Sequence, residues 1–137
     1  MINVSELRLG NYILQKYGGR IVTVKCSYQH FELISREGTR DLYPVVLKAG
    51  LLEDCGFSEN PDYPLLPGAR EFLLVLPIPG SNKNELRAYI KNNNECFGRA
   101  TLNGLPASTN FYHLHQLQNI YFALTGKEMM ITITDVK

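Results

Sequence analysis

Apolar and polar residues alternate in short runs through the first third of the chain, from Leu7 to Val45. The alternation is plainest at Val22, Val24 and Cys26 and again at Phe31 and Leu33. A period of two is the signature of strands with one face buried. Gly18-Gly19, between "YILQKY" and "RIVTVK", supplies two residues able to take positive φ and so predicts a two-residue hairpin. "SYQH" and "REG" read as further turns. The expectation is three or four short strands with no helix before about residue 44, forming a small bent sheet or open barrel.

At Pro44 the period changes. "LKAGLLEDCGF" predicts a short helix with Leu51, Leu52 and Cys55 on one face, Gly56 as its left-handed cap and Phe57 packing back on the last turn. "SENPDYPLLPG" carries three prolines and reads as a loop and module boundary. "REFLLVLPI", "ELRAYIK" and "ECFGRATL" then predict an antiparallel sheet, the last two strands joined by a turn at "NNN". A helix over roughly residues 110–125 follows, and "MMITITDV", with Ile131 and Ile133 alternating, predicts a closing strand. The fold class is α+β. Residues 1–57 form a β-rich lobe closed by a short helix, and 58–137 an α+β lobe whose sheet packs on the long helix, the two together making one compact unit.

That helix sharpens the picture, because no residue from Ala100 to Gly126 is charged. At helical spacing Leu114, Leu117, Ile120, Tyr121 and Leu124 fall within about 120° of arc, the width of a core-facing stripe. Phe111, Phe122 and His115 make a second face with Gln118 between the two. A soluble helix normally clothes its remaining surface in charge. One without charges is expected to be covered on most sides, by the β elements or by a second subunit, with its amides and imidazoles hydrogen-bonded to neighbouring backbone.

Composition narrows function by exclusion. The 137 residues carry a formal charge of +1, which gives no electrostatic case for nucleic acid or an anionic membrane. Residues 1–48 hold seven basic and four acidic side chains, an excess too small for a binding patch. Three cysteines, Cys26, Cys55 and Cys96, lie far apart and without paired spacing, which predicts free thiols in a cytoplasmic protein. The N-terminus has no basic segment followed by an apolar one, and no apolar run reaches membrane-spanning length, so neither a signal peptide nor a membrane partner is expected.

Candidate chemistry is sparse. His113 and His115 would diverge by about 200° on a helix and so could not share a metal, and His30 has no ligand partner near it in sequence. Glu53 and Asp54 beside Cys55 raise its pKa, the opposite of what a nucleophile needs. "YGGR" lacks the residues of a phosphate loop. No catalytic residue, cofactor or metal is assigned. "RLGNY" with "GGRIVTV" is similar to the entry strands of small barrels that bind RNA or peptides, where exposed aromatics stack on bases. The candidate binding residues are therefore Tyr12, Tyr17 and Tyr28, with His113, His115 and Gln118 on the helix.

Three segments, "SELRLGNYI", "LLEDCGF" and "HLHQLQNIYFALTGKEM", together resemble an uncharacterised family of small proteins from gut anaerobic bacteria and their phages and mobile elements. The resemblance runs end to end, with a divergent centre over roughly residues 58–105. No activity is established for that family, so it transfers no catalytic residues. It implies an intracellular protein of phage or mobile-element origin. The leading functional expectation is a non-enzymatic binding or adaptor module with a protein partner or self-association. The alternatives are a nucleic-acid binder acting through the N-terminal lobe, and an enzyme whose site is assembled from residues unlinked in sequence.

Overall fold

The computed structural model describes residues 2–62, 68–80 and 83–132. After a 3-10 turn at Val4–Glu6, the chain forms β1 (Tyr12–Tyr17), β2 (Arg20–Lys25), α1 (Tyr28–Glu37), β3 (Leu42–Tyr43) and α2 (Ala49–Asp54). It continues through β4 (Ser58–Glu59), β5 (Arg70–Val75), β6 (Glu85–Ile90), β7 (Cys96–Leu102), β8 (Leu105–Pro106) and α3 (Leu114–Thr125). The strands make two antiparallel sheets, β2-β1-β3 and β4-β5-β6-β7-β8, so the fold is α+β.

The first sheet begins as its sequence reads. Tyr17 pairs with Arg20, and Gly18 and Gly19 between them take φ of +49° and +88°, the two positive values a tight primed hairpin turn requires. Of the two expected forms, a small sheet and an open barrel, it is a three-stranded sheet that forms, and the stretch read as a turn and a third strand is the helix α1. Ser27 and His30 close a capping box: the His30 Nδ1 accepts the Ser27 N–H at 3.0 Å, the place glutamate fills in the usual motif. Phe31 and Ile34, one helical turn apart, pack on Ile13, Cys26 and Leu42 of a small second core. Phe31 and Leu33 also satisfy a period of two, and tertiary burial of the Phe31–Ile34 pair decides between the periods.

The main core lies on one face of the five-stranded sheet, where Phe72, Leu86, Ala88 and Ala100 cluster with Leu51 and Leu52 of α2 and Leu114 and Leu117 of α3. Phe57 is buried in the same cluster, its N–H bonded to the Leu52 carbonyl as the short helix predicted. The "NNN" turn joins β6 to β7, with Asn94 in the left-handed region at φ 66°. Residues Met129–Thr132 carry no strand; Thr132 instead donates its N–H to the Asp54 carbonyl. The remainder of the expected closing strand, from Ile133 on, and the centre of the proline-rich loop, Tyr63–Pro67, lie outside the described residues. Ser58–Glu59 of that loop forms an edge strand on β5. Among the described residues no helix is long and apolar enough to cross a membrane.

Candidate functional site

The charge-free helix is covered by the N-terminal segment, through hydrogen bonds that its amides make to backbone. Gln118, only 4% exposed, accepts the Tyr12 N–H at 2.9 Å and donates to the Gly10 carbonyl at 3.4 Å. Asn119 donates to the Glu6 carbonyl at 2.6 Å and accepts from the Asn11 amide and the Arg8 guanidinium. Arg8 also lies over the Phe122 ring and pairs with Glu128 at 2.7 Å. The segment supplies the charge that the helix omits. Glu6 sits against the first turn of α3, accepting from His115 Nε2 at 3.0 Å and from the Gln116 amide. A carboxylate there satisfies donors and complements the helix dipole. The His115 hydrogen bond holds the Glu6 pKa below the usual carboxylate value, against the opposing effect of desolvation.

The helix begins at Leu114, four residues after the expected start, and this reverses one inference about the histidines. His113 is the extended N-cap residue, φ −131° and ψ 159°, so it is not subject to helical spacing. Its ring stacks on His115 with centroids 5.9 Å apart and planes at 7°. His113 and Gln116 form a reciprocal capping box, in which the imidazole accepts the Gln116 N–H and the Gln116 carbonyl oxygen accepts the His113 N–H at 3.0 Å. An imidazole nitrogen that accepts must be unprotonated. Burial, then the neighbouring His115, lowers the His113 pKa, and Glu6 pulls the other way. His115 is 1% exposed, and its Nδ1 has no partner among the described residues. Among those residues no three His, Cys, Asp or Glu side chains converge to hold a metal.

His113 also lines a groove of about 490 Å³ beside Val46, the hairpin residues Lys91, Asn93, Asn94 and Glu95, then Cys96, Phe97, Asn110 and Tyr112. Its origin is a parting of the sheet edge. Along β7 the chain pairs Leu102 with Leu105 and Thr101 with Pro106, and Ala107 donates to the Ala100 carbonyl. Ser108 then bulges, its Oγ accepting the Ala100 N–H at 2.8 Å, and Gly98 and Phe111 exchange both main-chain bonds. Past Phe111 the chain leaves β7: His113 bridges Val46, and Leu114 donates to the Val45 carbonyl at 3.0 Å. The groove is the wedge left between. Gly98 makes the last pairing possible, since a Cβ there would collide with the Arg87 carbonyl and the fully buried Phe111 ring.

The wedge is chemically quiet. Lys91 is paired with Glu95 at 3.6 Å and lies over the Phe97 ring. Burial pushes the Cys96 thiol up to about 11, which keeps it protonated and unreactive at neutral pH. Cys55 is pushed to about 12 by burial, with Asp54 adding to the effect as the sequence suggested. All three thiols are free and buried. What the wedge offers is amides, a phenol, an aromatic wall and an imidazole.

The six candidate residues divide. His113 and His115 meet face to face, and Tyr12 and Gln118 meet through the Tyr12 N–H. Tyr12 is half-buried against the main core with Lys25 over its ring, so it is not presented for stacking. Tyr17 and Tyr28 are apart from these and 54% and 78% exposed, Tyr17 at the hairpin tip and Tyr28 on the outer side of α1. Of the six cations between residues 8 and 40, Arg8 and Arg36 are spent in ion pairs. His30, which has no metal-ligand partner near it in sequence, is hydrogen-bonded to Gln15 at 2.9 Å as well as serving in its cap. Sequence reasoning missed the asparagines, Tyr112 and Phe97 of the wedge and the part played by Glu6. No family model, curated protein or solved structure matches the chain.

Proposed function

We propose that the chain is a non-enzymatic binding module whose recognition surface is the wedge beside His113. The observation that carries this reading is the groove itself: its size falls within the range of ligand sites. Its lining of Asn93, Asn94, Asn110, Tyr112 and Phe97 is suited to hydrogen bonding and aromatic contact. The protonated thiol at Cys96 and the capping role of His113 argue against a nucleophile and base at work there. Free buried thiols support a cytoplasmic location. The family resemblance supports an origin with phages or mobile elements, and the two terminal motifs that carry it, around Glu6–Tyr12 and His115–Glu128, are partners in one hydrogen-bond network. A second reading, nucleic-acid binding at the hairpin tip, is favoured by exposed Tyr17 flanked by Lys16 and Arg20.

Amide chemical-shift mapping separates these readings, using a panel of short peptides, polar small molecules and a single-stranded oligonucleotide. The module reading expects perturbations over residues 91–97 and 110–113, abolished by Tyr112→Ala. Perturbations confined to residues 15–22 with the oligonucleotide would replace it with the second reading.

A further inference from the structure

Resting on the proposed module function, we infer that the wedge receives an extended peptide as an added strand on β7, paired through the main chain of Cys96. The parity of the ladder fixes the direction of that residue's polar groups. Gly98 turns its N–H and C=O toward Phe111, away from β6. Ala100, two residues on, turns the same way, meeting Ser108 and Ala107. On the opposite side, the Lys91 N–H bonds the Glu95 carbonyl, so the odd-numbered residues face β6. Cys96 therefore directs its N–H and C=O outward along the same edge, into the wedge. The segment that would have served them has left to pair with Val45 and Val46. Among the described residues neither group has a partner, on an edge otherwise paired from Leu102 to Gly98.

An unfilled donor and acceptor at the end of a filled edge is chemistry that recognises another backbone. The occupant is an extended segment of another protein, antiparallel to β7 and collinear with residues 105–111. Its alternate side chains would meet Phe97, Tyr112 and the exposed Val46 on one side and the amides of Asn93, Asn94 and Asn110 on the other. The wedge holds one ion pair and otherwise neutral groups, so an apolar or aromatic anchor with uncharged polar neighbours fits it better than a charged sequence.

The test selects a binder from a displayed random seven-residue library against the full chain, counter-selecting against Tyr112→Ala. A synthetic copy of the selected peptide is then N-methylated one residue at a time. Asn94→Gly serves as a second groove variant that keeps the fold, because Asn94 already occupies the left-handed region. Strand addition at Cys96 predicts a single sensitive position in the scan: affinity falls about tenfold or more where the methyl replaces the N–H that meets the Cys96 carbonyl and stays within about twofold at the residues on either side. The Cys96 amide should gain protection from hydrogen exchange on binding. A groove binder that tolerates N-methylation throughout, or leaves the Cys96 amide unprotected, overturns strand addition while leaving the module reading intact. A library yielding no peptide that discriminates the wild type from both variants overturns this inference, while the module reading stands or falls on the shift mapping with small molecules.

Discussion

Replacing Gln118 by glutamate changes one atom type in the interface that closes α3 against the N-terminal segment. The native amide uses both ends, accepting from the Tyr12 N–H and donating to the Gly10 carbonyl. In Gln118→Glu the first bond survives, but a carboxylate oxygen then faces the Gly10 carbonyl, two acceptors in contact in a buried place. Leaving that carbonyl without a donor costs about 1–3 kcal/mol, and the buried charge adds a desolvation penalty that the variant limits by taking up a proton. Each unit by which folding raises that carboxyl's pKa corresponds to about 1.4 kcal/mol of lost stability at neutral pH. The sign then distinguishes this mechanism from simple misfit. A carboxyl whose pKa is raised by folding loses its penalty as pH falls through the folded value toward the unfolded one. Below that window the neutral carboxyl donates to Gly10 as the amide did. Urea melts of wild type and variant between pH 4 and 8 measure the difference. It should be about 1–3 kcal/mol or more at neutral pH and shrink toward zero on acidification. Gln118→Met, which strands the Tyr12 N–H and the Gly10 carbonyl, should show a deficit that does not titrate. A Gln118→Glu penalty below about 0.5 kcal/mol, the tolerance of a surface site, or one constant with pH, would refute the account of this helix.

Leu117 is fully buried in the main core, and Leu117→Ala should cost about 2–5 kcal/mol in the same melts. Gly98→Ala drives a Cβ into the Arg87 carbonyl and the Phe111 ring, and should destabilise by about 1–3 kcal/mol. The wild-type chain should weaken in acid in two stages. The cap provided by neutral His113, and that of His30, whose pKa burial also lowers, stabilises fully above the ordinary histidine value and is lost as pH falls through the depressed ones. Glu6 and Glu128, held below the usual value by hydrogen bonds from His115 and Arg8, lose their contribution further down, as pH drops below about 4.5 and through their folded values. His113→Asn, which keeps a capping oxygen but does not titrate, should reduce the first stage to the part that His30 supplies. Thiol titration of the unfolded, unreduced chain should find three groups, and of the native chain almost none, since all are buried.

The parts of the fold that were legible are those where local pattern and tertiary outcome agree. Leu114 and Leu117 announce a buried stripe, and the missing charges of α3 announce the side that the N-terminal segment covers, although Phe122, expected on a covered face, is 38% exposed. Gly18-Gly19 and the three asparagines announce their turns. The helix α1 was misread because "FELIS" satisfies two periods at once and its capping box places a histidine where glutamate is the usual signal; Ser27-x-x-His30 was the available clue. His113-x-x-Gln116 would likewise have placed the start of α3 and cancelled the argument that the two imidazoles diverge. The wedge has no local signature. It exists because Phe111 pairs with Gly98 while His113, two residues on, pairs with Val46 from a distant part of the chain, and only the folded path brings Asn94, Asn110 and Tyr112 to one place.

Amide hydrogen exchange on the free protein, compared at two residues of β7, tests the wedge most directly. The Gly98 N–H is bonded to the Phe111 carbonyl at 3.0 Å, whereas the parity of the ladder turns the Cys96 N–H toward the groove that Cys96 lines. The account predicts that Gly98 exchanges with the slow amides of the sheet interior and Cys96 at least about a hundredfold faster, by local rather than global opening. Equal protection at the two residues would mean that the edge is already filled at Cys96, and that no open wedge exists to receive a partner.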